Sequence, residues 1–210
     1  MVSHTAAPPL WCLNLRSAAA FMGHAVGFGF GFVPSAHKPK RDPDIHTVVF
    51  VHGLAANRAG FFPLQGYLGW AGFKRQYAYN HSSLGNIERL ALELKRRLDR
   101  DVRGGRITLV AHSLGGLICR TYLQMLGGDR RVDNLITVAT PHYGSYAASW
   151  LPTQIGAQLR PDGPFLRKLN ALPPPRGVQC VSLVAGKDQL VLPPRHAVAP
   201  FGEELLLPHH

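Results

Sequence analysis

The strongest pattern along the chain is a series of short apolar runs separated by stretches with helical spacing. His46-Thr47-Val48-Val49-Phe50-Val51 is rich in β-branched and aromatic residues without polar alternation, which predicts a strand buried on both faces. Further strand candidates are Phe73 to Tyr79, Arg106 to Ala111, Asn134 to Ala139, Val178 to Ala185 and Glu204 to Leu207. Ile87, Leu90, Ala91, Leu94 and Leu98 recur at helical spacing, with Glu88, Lys95, Arg96, Asp99 and Arg100 on the other face. That predicts an amphipathic helix with one buried stripe, stopped by Arg103-Gly104-Gly105. Leu114 to Leu126 predicts a second helix, closed by Gly127-Gly128. Strands alternating with helices imply βαβ units, hence an α/β fold whose mostly parallel central sheet of about six strands is flanked by helices.

Two regions fall outside this rhythm. Residues 143–176 mix prolines and glycines with scattered apolar residues, including Trp150, Leu151, Ile155, Leu159, Phe165, Leu166 and Leu169, and predict an insertion that is either a cap or lid or a peripheral subdomain packed on the core. The first 45 residues hold an uncharged apolar segment, Ser17 to Val33, and then a polar linker through Lys38-Pro39-Lys40-Arg41-Asp42-Pro43-Asp44. The domain is therefore expected over 46–210. The apolar segment is shorter than the ~20 residues of a spanning helix. It is expected to pack on the domain or lie at a membrane surface, a signal peptide or short anchor being the alternative.

A length of 210 residues suits one domain with a sizeable core, and 46% hydrophobic with 17% charged residues is an ordinary globular balance. The formal net charge of +11 is spread along the chain and accompanies no nucleic-acid-binding signature. Specific nucleic-acid binding is therefore not expected, whereas association with an anionic membrane surface is. Cys12, Cys119 and Cys180 lack metal-ligand spacing and are odd in number, so neither a metal site nor a disulfide framework is implied. Cys119 and Cys180 read as small core residues. This favours a reducing compartment, cytoplasmic or membrane-associated, or else a secreted protein without disulfides.

The most informative segment is Leu109-Val110-Ala111-His112-Ser113-Leu114-Gly115-Gly116. A serine stands between an apolar strand and a helix, with small residues at 111, 115 and 116. A sharp strand-to-helix turn lifts the hydroxyl above the sheet edge, and bulky neighbours would clash with so tight a backbone. The helix N-terminus also directs free backbone N–H groups at the point where oxyanion charge develops. Ahead of it in the chain, Val49-Phe50-Val51-His52-Gly53-Leu54 ends a strand in His-Gly and offers a second donor. The expected oxyanion donors are the N–H groups of Leu54 and Leu114. Gly53 and His112, beside the serine, and Trp150 and Phe165 of the insertion are the expected substrate-contacting residues.

Together these residues resemble the bacterial triacylglycerol lipase and esterase group of the α/β-hydrolase superfamily, over a span from about His46 to the C-terminus. Val138-Ala139-Thr140-Pro141-His142-Tyr143-Gly144-Ser145 is similar to a Thr-Pro-His-x-Gly-Ser segment of those lipases, and the Ala111 that opens the elbow in place of glycine is a variation within the group. The resemblance implies a serine hydrolase acting on an ester or lipid substrate without a metal or organic cofactor. Ser113 would be the nucleophile. It also implies an acid after the strand that follows the insertion, where Asp188 stands, with Asp162 the weaker alternative. The base would follow the last strand, as His210 or His209, or lie beyond the end of this sequence. His52 and His142 are expected to hold loops, His196 to lie on the surface, and His81 has no partner legible in the sequence. Two other readings remain: a truncated, non-catalytic binding or membrane-associated copy of the fold, and a thioesterase or acyltransferase using the same site.

Overall fold

The computed structural model describes residues 46–146, 151–185, 191 and 193–207. Its strands are β1 (His46–Val51), β2 (Gln76–Tyr79), β3 (Arg106–His112), β4 (Val132–Val138), β5 (Gln179–Ala185) and β6 (Glu203–Leu207). They form one sheet in the order β2-β1-β3-β4-β5-β6, and all neighbouring pairs are parallel. The helices between them are α1 (Phe62–Trp70), α2 (Ile87–Asp101), α3 (Leu114–Met125), α4 (Gln154–Gln158) and α5 (Pro164–Asn170).

The unbroken apolar run of β1 reflects burial on both faces. Val49 and Val51 join the main core with Leu90, Leu94 and Leu98 of α2 and Leu114, Leu117 and Ile118 of α3. Val48 and Phe50 point the other way, into a smaller cluster with Phe61 and Val110 that Leu68 of α1 partly covers. Asn86 caps α2, its side-chain oxygen accepting the Arg89 N–H at 2.8 Å. Cys119 and Cys180 are buried free thiols, as their apolar surroundings in the sequence predict.

Three details differ from the sequence reading. The second strand begins at Gln76 and not at Phe73, because the chain is still turning out of α1 there: the Phe73 N–H donates to the Leu68 carbonyl at 2.9 Å. The 3-10 turn Arg58–Phe61 and helix α1 were not predicted; Phe62-Pro63-Leu64-Gln65-Gly66-Tyr67-Leu68-Gly69-Trp70 has no charged face to betray a helical period. β4 begins at Val132, and Ala139 leaves the sheet with φ +47°. In the segment read as either a cap or a packed subdomain, Ile155, Leu159, Phe165, Leu166 and Leu169 are buried in the main core. These side chains hold α4 and α5 onto the domain.

The strand order places a topological switch between β1 and β3: the chain steps outward from β1 to β2 and returns through α2 to the other side of β1. In open parallel sheets a crevice forms outside the carboxyl ends of the strands at such a point. Because all the strands are parallel, β1, β3, β4, β5 and β6 all end at that edge. Among the described residues no helix is long and apolar enough to cross a membrane.

Candidate active site

Ser113 follows β3 and caps α3 with φ +52° and ψ −123°, a conformation that a non-glycine residue adopts only when its surroundings impose it. Those surroundings are visible. The Ser113 N–H donates to the Val138 carbonyl at 2.9 Å, and its own carbonyl accepts the Gly116 N–H at 3.0 Å. Gly115 lies against β1 so closely that a Cβ there would stand 2.3 Å from the Val51 carbonyl oxygen. A Cβ on Gly116 would stand 2.1 Å from Thr140 Oγ1. The two glycines and Ala111 thus let α3 seat against β1 and the loop after β4, and the seating fixes the turn that exposes the serine.

Gly53 closes the other side: a Cβ built on it would approach Ser113 Cβ to 3.0 Å and His112 Nδ1 to 3.1 Å. The loop that carries it is held by a pair of stacked imidazoles, His52 and His81, whose ring centroids are 3.9 Å apart. His52 Nδ1 faces the Gly53 carbonyl at 2.8 Å and so carries the proton, while its Nε2 accepts the His81 N–H at 3.1 Å. His81 Nε2 donates to the His52 carbonyl at 3.0 Å and its Nδ1 accepts the Ser83 N–H at 3.2 Å. Each ring is therefore a neutral tautomer with both nitrogens engaged. A trans peptide sets its N–H opposite its carbonyl, so the hold of His52 on the Gly53 carbonyl also fixes the direction of the Leu54 N–H. His81, without a legible partner in the sequence, has one here. Leu54 is half-buried against the main core, and His112 is exposed beside Ser113.

The model for the palmitoyl protein thioesterase family matches residues 47–171, more than half of the chain, and spans both the His52-Gly53 loop and the Ser113 elbow. The chain belongs to that family. Solved structures that share the family's α/β-hydrolase fold include the mature Bacillus licheniformis lipase, 20% identical with a TM-score of 0.55, covering 73% of this chain and 70% of that one. Aspergillus fumigatus lipase B is 16% identical with a TM-score of 0.64, over 80% of this chain and 48% of that one. A metagenomic carboxyl esterase is 17% identical with a TM-score of 0.64, over 81% and 66%. The chain thus spans less than two thirds of the length of the latter two. The family is one of hydrolases, and the solved structures share its fold with this chain.

In this family member Asp188, His209, His210 and Trp150 lie outside the described residues. The strands that lead to them do not: β5 ends at Ala185 and β6 at Leu207, and these two residues are register partners at the same sheet edge as Ser113. Phe165, expected to contact substrate, is 8% exposed and part of the core. Asp162 sits in an exposed turn ahead of α5 with φ +57° and lines a cavity of about 380 Å³ with Tyr143, Leu166 and Asn170. His196, expected on the surface, is half-buried and bonds the Gly144 carbonyl at 3.0 Å. No three His, Cys, Asp or Glu side chains cluster as a metal site among the described residues.

One residue went unnoticed in the sequence. Arg120, the single charged residue of α3, is fully buried. Its guanidinium donates to Asn170 Oδ1 at 2.9 Å, Gln124 Oε1 at 3.1 Å and His142 Nδ1 at 3.3 Å, and it lies over the Phe201 ring. An arginine is always a donor, so His142 carries its proton on Nε2, which faces Thr137 Oγ1 at 3.2 Å. The relay joins α3 to β4 and α5. Burial lowers the Arg120 pKa to about 10. The signal for it is a lone charge in an otherwise uncharged helix.

Three buried histidines have depressed pKa values. Burial lowers His52; burial and then the neighbouring His52 bring His81 to about 3; burial and the Arg120 charge hold His142 well below 6.5. The unfolded chain binds protons on these rings near 6.5 while the folded one does not, so stability rises with pH in that window. Their contribution is fully present above about pH 7, falls as pH drops through 6.5, and continues to fall towards about 3. Urea unfolding followed by circular dichroism should show midpoints that decline over this range, and His81→Gln should shrink the slope. A flat profile, or an unchanged slope in the variant, would show that these rings titrate normally in the fold.

Proposed function

We propose that this protein hydrolyses long-chain carboxylic esters and thioesters through an acyl-enzyme on Ser113. The observation that carries the reading is the strained Ser113 backbone, locked at the head of α3 against Gly53. Backbone strain of ~1–3 kcal/mol at a site built by two tightly packed glycines suits a nucleophile that must stand clear of the sheet.

In this reading His210, or His209, removes the Ser113 proton as the oxygen attacks the substrate carbonyl. Asp188 orients that imidazole and stabilises the imidazolium. The N–H groups of Leu54 and Leu114 receive the tetrahedral oxyanion, each contributing roughly 3 kcal/mol to lowering the barrier. The imidazolium returns its proton to the departing alcohol or thiol. Water, deprotonated by the same base, then cleaves the acyl-enzyme to release the acid and restore the serine. Gly53 and His112 flank the acyl carbonyl. His52 has a supporting part, holding the Gly53 carbonyl so that the Leu54 N–H stays aimed.

The family match favours a thioester as the physiological bond, whereas the folds of the lipases and esterase are compatible with an oxygen ester. The full chain should be assayed on short- and long-chain p-nitrophenyl esters and on a palmitoyl thioester of a cysteine peptide. Turnover that rises with acyl length and is higher on the thioester is the expected result. A folded chain that turns over none of them and takes up no fluorophosphonate would identify a non-catalytic member of the family.

A further inference from the structure

Helix α1 is anomalous for a surface helix. None of its nine residues is buried and none is charged. Leu68 alone leans on the cluster around Phe50 and Phe61, which pins the helix to the sheet by one side. Trp70 is 82% exposed and Tyr67 61%, and Phe62, Leu64 and Phe73 are exposed with them. Five large apolar side chains on one short segment form a patch of the kind that ordinarily marks an interaction site.

The charge around the patch selects the partner. Between residues 45 and 87 the chain holds three cations, Arg58, Lys74 and Arg75, and no aspartate or glutamate. Arg58 stands just before α1 and the other two just after it. Lys74 is exposed and its Nζ bonds the Gly69 carbonyl at 2.6 Å, which places that cation at the helix end beside Trp70. An aromatic-rich, uncharged helix with cations at both ends matches the layering of a bilayer interface: rings at headgroup depth, cations among the phosphates. A second copy of this chain fits poorly, since two such faces would bring like charges together with no acidic residue in the segment to pair them.

We propose that α1, with Phe73 and Lys74, is a docking face for an anionic phospholipid surface. Docked this way, the protein holds the loop between β1 and α1, which carries Gly53, next to the membrane.

The test is co-sedimentation of the full chain with phosphatidylcholine vesicles with and without phosphatidylserine. The expected result is binding that requires phosphatidylserine, weakens with salt, and falls about tenfold or more in Tyr67→Ser/Trp70→Ser while Tyr67→Phe/Trp70→Phe retains it. Lys74→Gln should weaken it less. All of these sites are exposed, and circular dichroism verifies that each variant is folded. Wild-type-like binding by the serine double variant would assign the lipid contact to another part of the chain. Equal binding to both vesicle types would remove the electrostatic component. Absence of binding, or a dimer in analytical ultracentrifugation that the serine double variant dissociates, would overturn the proposal.

Discussion

Ser113→Ala should lower kcat for ester hydrolysis by about 10⁴- to 10⁶-fold and abolish fluorophosphonate labelling, with the urea midpoint nearly unchanged. The size follows from the role assigned to the hydroxyl: without it no acyl-enzyme forms, and only substrate binding and the backbone donors remain. Stability should hold because the positive φ of +52° strains alanine as much as serine. Ser113→Gly makes the complementary case. It removes the same hydroxyl but tolerates that φ, so it should be as inactive and yet more stable by about 1 kcal/mol, read as a higher urea midpoint. Turnover retained in either variant would remove Ser113 from the mechanism. A glycine variant no more stable than the alanine one would show that the turn stores no strain.

The parts of this site that were legible in the sequence are those where geometry restricts residue type. The elbow is an example, since close seating of α3 on β1 admits only Gly115 and Gly116 at those positions and the pattern survives as text. β1 was legible because a strand buried on both faces must be apolar throughout, and α2 because its buried stripe has a solvated opposite face. α1 was not legible, for a physical reason: it has no fully buried stripe to contrast with a charged one. Contacts between distant parts of the chain were equally silent. The His52–His81 stack joins residues 29 apart, and Arg120 meets Asn170 across 50 positions. Neither pair has a spacing rule, so His52 could be expected to hold a loop without its partner His81 being legible, and Arg120 gave no sign of its contacts. The resemblance implies Asp188 after one strand and His210 or His209 after the last; these residues lie outside the described ones, and what the structure describes is that β5 and β6 end side by side at the edge of the sheet where Ser113 stands.

Gly115→Ala should cost about 1–3 kcal/mol of stability and about 10²-fold in kcat/KM, although glycine-to-alanine changes inside helices ordinarily stabilise by up to ~1 kcal/mol. The new methyl group would stand 2.3 Å from the Val51 carbonyl oxygen, 2.7 Å from that of His52 and 2.9 Å from the Val51 carbonyl carbon. These are backbone atoms of the buried end of β1 and of the buried His52 that follows it, so no side chain can rotate aside. The helix must retreat instead. Normal contact requires about an ångström of movement at the first turn of α3, which carries Ser113 away from Gly53 and the Leu54 N–H. Gly66→Ala in α1 is the matched control, because a Cβ there meets nothing within 4 Å. It should stabilise by a few tenths to ~1 kcal/mol and leave turnover intact. Thermal unfolding and kcat/KM of the two variants separate the effects. If Gly115→Ala behaved like Gly66→Ala, the seating of α3 on β1 would not be what holds the serine in place, and the strain at Ser113 would need another cause.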